Sequence, residues 1–189
     1  MRLFIAINFS NLTRSTLLDL RDRLSSRAER GNFTTPENMH ITLAFLGECS
    51  AKQAAAARTA MSLTRFRPFE ILIERAGCFK RGVTSEAQAI SAGKDSGKSE
   101  SLWWAGVRES ASLLDLHRDL TYNLTAAGFA LDKRRFNPHI TLGRRVVTDA
   151  EPWLTELFGE TIRNIDLMKS ERINGRMAYT PIYTETATE

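Results

Sequence analysis

The hexapeptide Asn38-Met39-His40-Ile41-Thr42-Leu43 returns as Asn137-Pro138-His139-Ile140-Thr141-Leu142, identical at five of six positions and offset by 99 residues. Two of the chain's three histidines lie in this repeat. In a β-strand, residues i and i+2 project from one face, so each copy sets an imidazole and a hydroxyl on one side and two apolar side chains on the other. A core-forming strand has no need to write the same polar slots twice. The repeat therefore demands a fold in which two equivalent strands meet, and it points to a paired active site.

The copies diverge just after the shared face. The first continues Ala44-Phe45-Leu46-Gly47, the second Gly143-Arg144-Arg145. A site built from both is symmetric in its histidines and asymmetric in its positive charge. Arg144 follows His139 by five residues, which puts it on the opposite pleat of a regular strand; a bulge at Gly143 would turn it back toward the histidine.

The rest of the chain alternates strand and helix signals. Residues 2–9 read as an opening strand, and Ser10 or Asn11 caps a helix carrying Leu17, Leu20 and Leu24 that ends near Gly31. After the first His strand, the alanine-rich stretch 52–63 reads as a second helix. Residues 69–79 read as a long strand with Phe69, Leu72 and Ile73 as its main apolar members. Residues 85–91 form a short strand candidate and 92–99 a small-residue, charged loop. Gly97-Lys98-Ser99 imitates the tail of a phosphate-binding loop, but the upstream glycine position holds Ala92 and no apolar strand precedes it. Residues 102–107 read as a strand, and 110–127 as a helix with Leu113, Leu116, Leu120 and Leu124 on one face and Gly128 at its end. Strands over 162–170 and 177–183 join through Asn174-Gly175, a strong hairpin signal, with a frayed tail after Thr184. The order predicts an α+β fold: a bilobal pseudo-two-fold duplication with antiparallel sheets lining a central cleft and helices outside, residues 1–189 making one domain in which each half supplies one His-x-Thr strand.

Composition narrows the class without deciding it. A formal charge of +4 leans weakly toward an anionic partner. Cys49 and Cys78 have neither CxxC spacing nor a histidine cluster, and they read as packed, reduced thiols rather than a disulfide or zinc ligands. The apolar run 3–7 stops at Asn8 and is far too short to span a membrane, so the expected protein is cytoplasmic.

Two opposed histidines suit phosphodiester cleavage. One imidazole deprotonates the attacking water or hydroxyl while the other protonates the departing oxygen on the far side of phosphorus. Thr42 and Thr141 offer neutral donors to the equatorial oxygens and Arg144 a charged one. The motif pair, His40-Ile41-Thr42-Leu43 and His139-Ile140-Thr141-Leu142, together with the opening 2–7, Trp104-Ala105-Gly106-Val107 and the terminal pattern 167–179, resembles the two-histidine (2H) phosphoesterases. More narrowly, it resembles the bacterial RNA 2′,3′-cyclic phosphodiesterases of the 2′-5′ RNA ligase type. The resemblance implies opening of a 2′,3′-cyclic phosphate at an RNA end to a 2′-phosphate by a monomer, with no cofactor and no metal. It implies His40 as proton donor to O3′, His139 as proton acceptor from water, and Thr42, Thr141 and Arg144 as phosphate ligands. The repeat alone leaves the direction of proton flow open.

Two rival readings are a 2H enzyme for a small cyclic nucleotide, a 2′-5′ oligonucleotide or an ADP-ribose cyclic phosphate, and an RNA-binding module without turnover. The segment 80–101 departs most from the family pattern and bears on substrate extent. His117, on the leucine-rich helix, reads as a boundary residue outside the mechanism. Trp103 and Trp104 are adjacent on a strand and face opposite ways, so at least one belongs to the core; Phe45 and Phe136 are alternative cleft aromatics. Lys133-Arg134-Arg135 and Arg144-Arg145 flank the second motif as a candidate phosphate-backbone track.

Overall fold

The computed structural model describes residues 1–80 and 99–188. The strand candidate at 85–91 and nearly all of the loop at 92–99 lie outside those residues. In chain order the elements are β1 (Arg2–Asn8), α1 (Asn11–Ser25), β2 (Ala28–Phe33), a single 3₁₀ turn (Pro36–Asn38), β3 (His40–Glu48), α2 (Ala51–Leu63), β4 (Phe69–Lys80), β5 (Ser101–Val107), α3 (Ala111–Ala126), β6 (His139–Thr148), β7 (Trp153–Ile162), β8 (Asn164–Ile173) and β9 (Arg176–Thr186). The fold is α+β, as expected.

The described strands pair in the order β7-β4-β5-β6-β3-β1-β8-β9, with β2 also on β6, and every pairing is antiparallel. The order reads as a palindrome of roles: β6 corresponds to β3, β5 to β1, β4 to β8 and β7 to β9. Between the central strands one residue pair, Ile41 with Ile140, carries the register. The two expected sheets thus meet edge to edge at the middle of the repeated motif.

One side of the sheet is apolar and covered by helices. Ile41, Ile140, Ile5, Ile7, Ile71, Ile73, Ala105 and Leu167 are fully buried there, with Leu17 and Leu24 of α1 and Leu113, Leu120 and Leu124 of α3. The helices start where capping chemistry dictates. Ser10, Ser50 and Ser110 each accept a hydrogen bond from a backbone N–H three residues on, and at α2 Gln53 accepts in return from the Ser50 N–H, closing a reciprocal box. Ser50→Ala is expected to lower stability by about 1 kcal/mol. A urea titration should show an earlier midpoint with an unchanged slope.

Three boundaries differ from the sequence reading. Helix α1 ends at Ser25, not near Gly31, because the leucine stripe stops at Leu24; residues 28–33 instead pair with β6. Strand β7 carries little alternation, with Leu154 80% exposed, since it pairs only with β4 at the end of the sheet. The tail is not frayed: β9 runs to Thr186, and the N–H groups of Ala187 and Thr188 donate to the Arg163 and Phe66 carbonyls. Within β4, Ile71 rather than Leu72 shares the buried face with Phe69 and Ile73. The Asn174-Gly175 hairpin is as expected, both residues having positive φ (51° and 80°).

Candidate active site

Pairing Ile41 with Ile140 puts both on the helix-covered side, which leaves His40, Thr42, His139 and Thr141 together on the other. On that register His40 lies across from Thr141 and Thr42 across from His139. The imidazoles occupy one diagonal and the hydroxyls the other, and in a regular antiparallel pair diagonal Cβ atoms are about 7 Å apart. That spacing leaves room for one tetrahedral phosphate between two ring nitrogens.

The repeated asparagines act through their backbone. His40 Nδ1 lies 2.8 Å from the Asn38 carbonyl oxygen and His139 Nδ1 2.7 Å from that of Asn137. A carbonyl only accepts, so each Nδ1 carries the hydrogen, and each Nε2 is the nitrogen left for proton exchange. The two sites are not equivalent. His40 Nε2 lies 3.1 Å from Thr42 Oγ1, and its ring packs between Phe4 (centroids 5.0 Å apart) and Tyr179 (5.4 Å, edge-on). His139 is more open and meets Phe79 edge-on at 5.7 Å. Burial holds the His40 pKa at about 4; the charges of Arg144 and His139 push the same way, against the hydrogen bond to Asn38. His40 is therefore neutral in the free protein at pH 7.

Register shifts bring in two further residues. Between Trp104–Thr141 and Trp103–Gly143, β6 advances by two residues while β5 advances by one, so Leu142 and Gly143 together oppose a single residue. A Cβ on Gly143 would lie 2.8 Å from a Val146 methyl and 3.1 Å from the Phe33 ring, both on the core side. This bulge returns Arg144 to the histidine face, where its charge reaches His40. β3 does the same against β1: Ile5 pairs with Ala44 and Ala6 with Thr42, so the extra residue is Leu43, the counterpart of Leu142. Phe45, 63% exposed, is thereby set beside Phe4 at 6.1 Å. The bulge repeats in register and turns Phe45 and Arg144 onto one face at equivalent positions.

Other candidates resolve individually. Trp103 is buried in the core and Trp104 lies on the histidine face, as their alternation requires. Phe136 is not a cleft aromatic. Its ring stacks on His117 of α3 at 3.8 Å and 5°, which ties the segment entering β6 to the helix layer. His117 is half-buried, and that burial lowers its pKa. In the basic run, Arg134 is bound to Asp132 through two nitrogens, so that charge is already paired. Cys49 is a buried free thiol. No helix among the described residues is long and apolar enough to cross a membrane, and none of their His, Cys, Asp and Glu side chains form a group of three that could hold a metal ion.

Sequence reading missed a polar trio beside His40. Asn8, opposite His40 in register, donates through Nδ2 to Asp166 Oδ2 at 2.7 Å, and Thr184 donates to the other oxygen of Asp166. These three residues come from β1, β8 and β9 and carry no shared motif; only the strand order joins them.

A family model described as LigT-like phosphoesterase matches residues 10–84. The RNA 2′,3′-cyclic phosphodiesterase of Archaeoglobus fulgidus is 30% identical over 177 residues, covering 90% of this chain and 91% of that protein. The chain belongs to the LigT-like phosphoesterases. Among members of the family, the Escherichia coli K12 protein named RNA 2′,3′-cyclic phosphodiesterase is 28% identical over 185 residues, 96% of this chain and 93% of its own. The crystal structure of E. coli LigT complexed with 3′-AMP superposes with a TM-score of 0.82 at 26% identity, covering 100% of this chain and 98% of that one. The family thus accounts for the whole described fold.

Proposed function

We propose that this protein hydrolyses 2′,3′-cyclic phosphate ends of RNA to 2′-phosphomonoesters, with His40 and His139 as the two proton carriers. The observation that carries the reading is the diagonal pair of imidazoles on one face, each with Nδ1 held by a backbone carbonyl and Nε2 left to react. Two relatives that align with nearly the whole chain, named RNA 2′,3′-cyclic phosphodiesterase, support it.

In this reading a water attacks phosphorus in line with O3′. His139 Nε2 takes the water proton, the P–O3′ bond breaks, and His40 Nε2–H gives its proton to O3′. Thr42, Thr141 and Arg144 hold the non-bridging oxygens, and Arg144 supplies the positive charge without a metal. With a 5′-hydroxyl in place of water, the same steps join two strands 2′-5′. The protein acts as a monomer on RNA ends, and a chain with only two cysteines and no disulfide framework fits the reducing cytoplasm.

His40 must be charged when it acts, yet it is neutral in the free protein. A bound phosphate supplies the missing term: its negative charge offsets Arg144 and His139 and raises the His40 pKa in the complex. Turnover of an RNA ending in a cyclic phosphate is therefore expected to be bell-shaped in pH. The limb set by His40 should lie at higher pH in kcat, which reports the complex, than in kcat/KM, which reports the free protein with His40 near 4. No turnover of such an end would overturn the function, and a His40 limb at the same pH in both profiles would overturn its proton-donor role.

A further inference from the structure

The two halves of the site are built alike but furnished differently. Where β1 sets Asn8 beside His40 and Ala6 beside Thr42, β5 sets Gly106 beside His139 and Trp104 beside Thr141. Where β8 sets Asp166 next to Ala6, β4 sets Gly77 next to Trp104. The His40 half thus carries a hydrogen-bonded polar trio, and the His139 half carries a bare glycine floor with an indole on it. A Cβ on Gly77 would fall 2.5 Å from Trp104 Cη2, and one on Gly106 would fall 2.8 Å from Trp104 Cζ3, so the ring rests directly on the backbone of two strands.

The neighbours of that ring are placed by a distortion. Against β5, β4 shifts register between Ile73 and Arg75, leaving Glu74 as the extra residue; the pairing with β7 shifts at the same point, with the extra residues on β7. Before the shift, Phe69, Ile71 and Ile73 face the core; after it Ala76 does, and Arg75, Gly77 and Phe79 face the histidine side. Phe79, 41% exposed, then meets Trp104 at 5.2 Å and His139 at 5.7 Å, and the Arg75 guanidinium lies 5.8 Å from the Trp104 ring centroid. An indole on a glycine floor, an aromatic wall and an exposed guanidinium form a stacking platform with a cation beside it. Those are the elements that hold a base and its backbone in single-stranded nucleic acid.

In-line displacement determines which base. The nucleophile and the leaving oxygen lie on opposite sides of phosphorus, so the ribose that carries the cyclic phosphate belongs with the proton donor and the attacking group with the proton acceptor. We infer that Trp104, Phe79 and Arg75 form a subsite for the nucleotide whose 5′-oxygen takes the place of water, that is, for the second nucleotide across a 2′-5′ linkage. The inference rests on the proposed function, in which His139 activates the nucleophile. In joining, the 5′-hydroxyl proton passes to His139 Nε2, the P–O5′ bond forms, the P–O3′ bond breaks, and O3′ takes the His40 proton. The platform then binds a base that hydrolysis with water leaves out.

A binding measurement separates this inference from the activity. The first probe is a 2′-5′-linked dinucleotide whose first ribose lacks its 3′-hydroxyl and so cannot re-form a cyclic phosphate. The second is the matching 2′-methyl phosphodiester, which has the same charge and no second base. By calorimetry the protein should bind the dinucleotide about 5–150-fold tighter, the contribution of one base stacked on an aromatic ring. Trp104→Leu and Phe79→Leu should each remove most of that advantage while changing methyl-ester affinity by no more than about twofold. Phe79 is exposed, so its variant decides the matter if the Trp104 variant does not fold. Equal affinities for the two probes, or an equal loss of both in the variants, would overturn the subsite. Tight dinucleotide binding by a protein that fails to open cyclic phosphates would instead count against the proposed function and leave the subsite standing.

Discussion

Replacing His139 by alanine is expected to lower the rate of cyclic-phosphate opening by about 10²–10⁴-fold, with a similar loss for His40→Ala. Each loss has the same origin, the removal of one proton transfer from a step that needs two at once. Because the two rings act as a unit, the double variant should fall little below the worse single one rather than by the product of the two losses. The measurement is single-turnover conversion of an RNA ending in a 2′,3′-cyclic phosphate, with folding checked by a urea titration of each variant. His139 lies on the open face, so its removal leaves the fold intact. His40 packs between Phe4 and Tyr179, and its removal carries some loss of stability as well. Multiplicative losses would mean that the imidazoles work in separate steps.

Arg144→Met should reduce kcat by about 10²–10³-fold, the usual effect of removing one preorganised donor from a developing charge. It should also move a pH limb, in a direction fixed by the charge. Arg144 depresses the His40 pKa, so its removal lets His40 hold its proton to higher pH, and the limb of kcat/KM set by His40 should move to higher pH. A mere loss of packing moves the rate without moving the limb. Arg144→Lys should restore the limb by restoring the charge, with a partial recovery of rate, since an ammonium cannot match the planar fork of a guanidinium. An unchanged limb in Arg144→Met would place the guanidinium outside the site.

The sequence made legible what local pattern encodes. The His-x-Thr repeat told which side chains share a face, and Ser10, Ser50 and Ser110 marked helix starts because a hydroxyl there satisfies an orphan N–H. Even the turning of Arg144 onto the histidine face followed from one glycine placed where a bulge is cheap. Strand pairing is where reading stopped. Strands β2 and β7 owe their conformation to β6 and β4, not to any alternation of their own, and the tail is held by Arg163 and Phe66 from distant elements. For the same reason the Asn8–Asp166–Thr184 trio and the Trp104–Phe79–Arg75 platform are invisible in one dimension. The trio draws on three strands and the platform on two, and only the topology makes those strands neighbours. Phe136 misled because proximity to His139 along the chain is not proximity in space; its ring belongs to His117.

In the proposed reaction, His40 delivers its proton to O3′ while His139 activates the attacking water. Product analysis on an RNA ending in a 2′,3′-cyclic phosphate, resolving 2′- from 3′-phosphomonoester by phosphorus NMR, tests it most directly. Release of O3′ leaves the phosphate on O2′, so a 2′-phosphate is expected as the sole product. A 3′-phosphate, or a mixture of the two, would contradict it.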